Sequence, residues 1–130
     1  MTQEKDLIVR TKKFSLRIIK LVGALPRNQT GLVIGNQLLR SGTSVGANYR
    51  AACRARSVAE FISKLGIVEE EADECIYWME LIIEADLMPS TQIEPLLQEA
   101  NELLSITVAS RKTARIRHSQ IKNRKSSTIK

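Results

Sequence analysis

The stretch SVAEFISKLGIVEEEADECIYWMELIIEA, residues 57–85, decides the fold. Its apolar residues Val58, Phe61, Leu65, Val68, Ala72, Cys75, Met79 and Ile82 alternate steps of three and four without a fault. Side chains spaced that way share one face of an α-helix, and a sustained heptad pattern is that of a helix packed along a long seam. The start is also encoded. Ser57 and Glu60 form an S-x-x-E capping box, in which the hydroxyl accepts from the Glu60 N–H. At 1.5 Å per residue such a helix is roughly 40 Å long, and it needs partners of similar length to cover its apolar face.

Those partners flank it. Before it, residues 30 to 55 carry Leu32, Leu39, Gly46 and Cys53 at seven-residue steps, with Leu38, Val45 and Ala52 as an adjacent seam. Gly31, Gly35, Gly42 and Gly46 interrupt this helix, each at about 1 kcal/mol relative to alanine. The apolar phase is kept across them, which predicts a straight helix whose glycines admit a close neighbour. Residues 3 to 25 form a further helix with Leu7, Phe14, Ile18, Leu21 and Leu25 on one face, ended by Pro26. After the central helix, Thr91 and Glu94 make a second capping box with Pro95 in the first turn, and Ile93, Leu97, Ala100, Leu104 and Val108 carry the seam. The pattern fades after Ala114, and HSQIKNRKSSTIK, residues 118–130, reads as a basic, disordered tail. Short connections make consecutive helices antiparallel. The prediction is an all-α fold, an antiparallel up-down-up-down four-helix bundle over residues 1–117 followed by the tail.

Composition agrees. The 130 residues are 43% apolar but only 4% aromatic, with three prolines, which argues against an all-β chain. That length suits one domain with a core of its own. Cys53 and Cys75 have no CxxC spacing and fall at core positions of their helices, so they read as buried structural thiols suited to the cytoplasm. The opening MTQEKDLIVRTKK has no apolar leader segment, and no apolar run approaches the ~20 residues of a membrane span. A cytoplasmic protein without a membrane partner is expected.

Charge is segregated along the chain. Residues 1–57 carry eleven Lys/Arg against two acids, residues 58–102 one lysine against twelve acids, and residues 103–130 eight Lys/Arg and no acid. In an up-down bundle the second and fourth helices end where the first and third begin. That pole collects Lys5, Arg10, Lys12 and Lys13, then Arg50, Arg54 and Arg56, then Arg111, Lys112, Arg115 and Arg117, with Lys122, Arg124, Lys125 and Lys130 in the tail. Its local acids are Glu4, Asp6 and Glu60, while Glu80, Glu84, Asp86, Glu94 and Glu99 mark the opposite pole. Lys12, Lys13, Arg50, Arg54, Arg56, Arg111, Lys112, Arg115 and Arg117 are therefore the candidate nucleic-acid-binding residues. A basic patch holds phosphates without reading sequence. The alternative is self-pairing, with Arg40 near Asp73 and Glu74 and Arg54 near Glu60.

No reaction is written into the chain. The single histidine, His118, cannot assemble a triad or a metal site with two distant cysteines. The acids Glu69, Glu70, Glu71, Asp73 and Glu74 lack the Glu-x-x-His partners of a di-iron bundle. No catalytic residue, metal or cofactor is expected. Gly42, Ser44, Gly46 and Asn48 are candidates for close helix or subunit packing, with Asn48 either setting register at an interface or bonding locally. Trp78, beside Tyr77, reads as core or subunit packing rather than a stacking platform, because its neighbours are acidic.

LLRSGTSVGANYRAACRARSVAEFISKLGIVEEEADECIYWMELIIEADLM, residues 38–88, resembles the 23S rRNA intervening-sequence proteins. Arg40, Ser41, Ser44, Ala47 and Asn48 match that family's RS-x-x-S-x-x-AN segment, and Phe61, Leu65, Glu70, Glu74 and Trp78 match its third helix. The resemblance implies an antiparallel bundle assembled as a homopentamer, with no enzymatic activity. Some members are encoded within an insertion in 23S ribosomal RNA genes, and a similar bundle serves diversity-generating retroelements beside a reverse transcriptase and RNA. This chain departs from the family after Asn48, where Tyr49-Arg50-Ala51-Ala52 replaces an apolar residue often followed by Ala-Glu-Gly. Two functions follow as expectations. One is an oligomeric bundle that binds RNA or DNA through its basic pole, and the other is an adaptor that binds protein.

Overall fold

The structure, a computed structural model, describes residues 3–129, with side chains over residues 5–125. Four helices follow one another: α1 (Gln3–Gly23), α2 (Gln29–Cys53), α3 (Val58–Glu84) and α4 (Ser90–Ile129). No strand occurs among the described residues. α1 packs on α2, α2 on α3 and α3 on α4, and α4 returns to α1 along a much shorter seam. Every neighbour in the chain is thus a neighbour in space, the up-down bundle that short connections dictate.

Capping chemistry sets the boundaries. Asn28 caps α2, its Oδ1 accepting from the Gly31 N–H at 2.8 Å. Ser57 caps α3 as its sequence predicts, with the Glu60 N–H donating to Oγ at 3.1 Å. The return bond is displaced by one residue, because the Glu60 carboxylate accepts from the Arg56 N–H at 3.3 Å. α3 ends in a Schellman motif. Asp86 takes φ 55°, its N–H donates to the Ile83 carbonyl, and the Leu87 N–H reaches back to the Ile82 carbonyl.

α4 departs from expectation in three ways. It begins at Ser90, so Thr91 lies inside the helix rather than capping it, and Pro95 falls beyond the first turn. Its buried seam is Ile93, Leu96, Ala100, Leu103 and Thr107. The predicted Leu97 and Leu104 are half-buried, and Val108 is exposed. Adjacent leucines at 96/97 and 103/104 allow two registers with the three–four spacing, and packing against the neighbouring helices selects the one through Leu96 and Leu103. Lastly, α4 continues to Ile129 where a disordered tail was expected from residue 118, with Lys130 outside the described residues. The segment 118–129 contains no proline or glycine, so an established helix meets no residue that stops it.

The core is continuous through all four helices. Leu7, Phe14, Ile18, Leu21 and Leu25 from the N-terminal segment meet Leu38, Val45 and Ala52 from α2, and Leu65, Val68, Cys75, Met79 and Ile82 from α3. Of the two candidate seams on α2, the one through Leu38 faces inward, whereas Leu32 is 58% exposed.

The glycines of α2 explain how α1 sits so close. A Cβ on Gly42 would lie 2.6 Å from Cγ2 of Ile18, and one on Gly46 would lie 3.2 Å from the Thr11 carbonyl oxygen. Gly35 faces Val22 and Leu25. Gly42 and Gly46 therefore serve packing within the chain, and the helix runs unbroken across them.

Candidate functional site

At the ends of α2 and α4 and the start of α1, the candidate cations separate into two groups. Lys12 from α1, Arg50 from the last turn of α2 and Arg54 at its C-cap line one groove of about 400 Å³ between those helices. Its floor is Thr43, Gly46 and Ala47, small because α1 and α2 approach closely there. The Ser15 and Thr43 hydroxyls beside it are already committed to backbone. Ser15 donates to the Thr11 or Gly42 carbonyl at 3.1 and 2.9 Å, and Thr43 to that of Leu39 at 2.8 Å. No ion pair or hydrogen bond engages the charged ends of Lys12, Arg50 or Arg54 among the described residues.

The second group lies between α3 and α4, on the opposite side of the bundle. Arg111, Lys112 and Arg115 line a groove there with Glu69 and Ile116. Arg111 is occupied. Its Nη1 donates to Glu69 Oε2 at 3.2 Å and its Nε to the Ile62 carbonyl at 3.2 Å, with the guanidinium lying over Gly66. Glu69 is an acid of the basic half that helix-end counting passed over. Arg111 is thus a clasp between α3 and α4, not an open phosphate ligand. Lys112 and Arg115 stay exposed, as do Lys13, Arg56 and Arg117.

Pairing elsewhere follows the antiparallel register closely but not to the residue. Arg40 binds Glu71 at 3.3 Å and Glu74 at 2.5 Å, while the expected Asp73 points outward. Glu74 also accepts from the Trp78 indole N–H at 3.1 Å. The Arg40 hydrogen bond pulls the Glu74 carboxyl below its ordinary range. Glu60 caps its helix and forms no ion pair with Arg54. Arg10 binds Glu99 through two bonds of 2.8 and 2.7 Å. Both belong to the waist of the bundle rather than to opposite poles. The Glu4 side chain lies outside the described set.

The same geometry explains which residues accompany one another in the α2–α3 motif. Arg40, Glu74 and Trp78 form one connected clasp. Ser41 is fully buried and accepts from the Cys75 thiol at 3.4 Å while donating to the Gln37 carbonyl at 3.0 Å. Burial pushes the Cys75 thiol up to about 12. Cys53, also expected in the core, is only half-buried and faces the α1–α2 groove. Asn48 bonds within its own helix, Nδ2 donating to the carbonyl and hydroxyl oxygens of Ser44 at 2.9 and 2.7 Å. Trp78 is half-buried against the core and meets Tyr77 edge-on at 5.1 Å.

Among the described residues no group of three His, Cys, Asp or Glu is placed to hold a metal ion, and no helix is long and apolar enough to cross a membrane.

A crystal structure from Bacteroides thetaiotaomicron VPI-5482, described as a protein of unknown function from the S23 ribosomal protein family, superposes with a TM-score of 0.80. It is 35% identical to this chain, covering 85% of it and 99% of the other. No curated protein matches. The model of the 23S rRNA-intervening sequence protein family matches residues 3–109, from the first turn of α1 to the middle of α4, just short of its first basic residue, Arg111. Fold, clasp and match agree: the chain belongs to the 23S rRNA-intervening sequence protein family.

Proposed function

We propose that the protein is a non-enzymatic, homo-oligomeric bundle that binds RNA or DNA electrostatically through its basic pole. One observation carries the reading: Lys12, Arg50 and Arg54 converge on a single groove with no acid to neutralise them. Lys112 and Arg115 extend the positive surface on the other side, and Lys122 and Lys125 continue it along the projecting end of α4. Fields from such clusters concentrate polyanions without selecting sequence. Oligomerisation, as a pentamer by resemblance, would multiply weak contacts through avidity. The half-exposed Leu16, Ile19, Leu32 and Val33 on α1 and α2 supply apolar area for subunit contact.

Anisotropy of a labelled oligonucleotide at low ionic strength tests the binding, and light scattering tests the assembly. Binding that falls steeply with salt is the expected result. Absence of binding at low salt removes the nucleic-acid reading, and a stable monomer removes the avidity. A protein-binding adaptor is the second reading. It is favoured by Tyr77, which stands 54% exposed between the exposed acids Asp73 and Glu80 on α3. A protein complex that survives nuclease treatment would support it.

A further inference from the structure

We propose that the α1–α2 groove seats one nucleic-acid strand, so that the protein prefers single-stranded to duplex polyanions; this rests on the nucleic-acid reading above. Arg50 lies in the last turn of α2 and Arg54 is its C-cap, four residues on, which at 1.5 Å per residue is about 6 Å along the helix direction. Successive phosphates of an extended strand repeat on a similar scale. Lys12 faces them from α1, so a backbone lying in the groove meets cations on both walls. The floor permits this, because between Thr43 and Ala47 it offers no side chain larger than threonine.

A duplex fits the same place poorly. The two walls belong to packed helices whose axes lie about 8–10 Å apart. A double helix is convex on that scale and carries its phosphates on two strands, so it can touch the rims but cannot bring consecutive phosphates inside. The groove also lacks what base reading requires. No aromatic side chain lines it, and the Ser15 and Thr43 hydroxyl protons are spent on backbone carbonyls. The strand is therefore held by its phosphates alone, without sequence preference.

Labelled oligo-dT and a duplex of equal length, titrated by anisotropy into the full chain at low salt, test this. The single strand should bind about tenfold tighter or more. Arg50→Glu with Arg54→Glu should cost the single strand at least about tenfold and lower its salt slope by about 1.4, two contacts at about 0.7 each. Lys20→Glu with Arg27→Glu, the same charge change on exposed residues at the other pole, should cost less than about threefold. Ala47→Trp fills the floor without changing charge and should weaken the single strand while sparing the duplex. Circular dichroism confirms that each variant is folded. Equal affinity for the duplex, or equal losses from the two double variants, overturns the groove while leaving electrostatic binding in place. Failure to bind either oligonucleotide overturns both.

Discussion

Replacing Gly42 by alanine sets two effects of known sign against each other. Within a helix the change contributes about 1 kcal/mol of stabilisation, because alanine loses less backbone entropy than glycine. The site opposes it. The new methyl would lie 2.6 and 2.7 Å from the two γ-carbons of Ile18 and 3.0 Å from its Cβ. Ile18 is fully buried and branched at that Cβ, so no rotamer clears the contact and α1 itself must move away. Overpacking of this kind costs about 1–3 kcal/mol, which offsets the propensity gain and leaves a net loss of up to about 2 kcal/mol. Urea unfolding followed by Trp78 fluorescence reads the loss, at fixed protomer concentration because assembly would shift the midpoint. Ile18→Ala alone opens a cavity at about 2–5 kcal/mol. In the double variant each change relieves the other, so its cost should fall short of the sum by about 1 kcal/mol or more. A Gly42→Ala protein more stable than the parent, with no coupling to Ile18, would refute the account of why α2 carries glycine there.

Three further outcomes follow from other contacts. Gly should outperform Asp86 at its left-handed position, so Asp86→Gly is expected to raise stability by about 0.5–1 kcal/mol in thermal unfolding; a loss would show that the aspartate side chain contributes something the φ of 55° does not reveal. Cys75 should resist a thiol reagent at pH 8 while the half-buried Cys53 reacts, because the Cys75 thiol is pushed up to about 12; equal rates would contradict the burial. Glu74 has a lowered folded-state pKa, so its contribution is present above about pH 4.3, the unfolded value, and is lost as pH falls through the folded one; Glu74→Gln should flatten the acid limb of the stability profile, and an unchanged limb would remove the clasp from the account.

The central helix and the bundle are legible in the chain because a strict alternation of three and four admits one face only, and Leu65, Val68, Ala72, Cys75, Met79 and Ile82 all prove buried. α4 is harder to read because it has adjacent leucines, Leu96 and Leu97, then Leu103 and Leu104. Either member of each pair satisfies a hydrophobic count, and only the neighbouring helices choose. On α2 the same ambiguity sets Leu39 against Leu38. The charges illustrate a different limit. Helix direction brings Arg40 to the acidic stretch of α3, but whether Glu71 or Asp73 receives it depends on which face of α3 turns toward α2, since two residues are about 200° apart around a helix. Arg111 could have been recognised by Gly66, since a glycine inside a long apolar-patterned helix signals that something lies against it, here a guanidinium. The end of α4 reads as a tail because polarity signals solvent exposure, and exposure is compatible with helix as well as with coil.

The short seam between α1 and α4 carries a kinetic consequence. Every other pair of touching helices is consecutive in the chain, so three of the four contacts are hairpins that close over short loops. The Arg10–Glu99 pair instead joins residues 89 apart, and its closure entropy is met only after the intervening hairpins have shortened the effective loop. Folding is then expected to proceed by zipping adjacent helices, with the edge where the first helix meets the last locking at the end. The same edge is the first place where hydrogen exchange should find the molecule ajar.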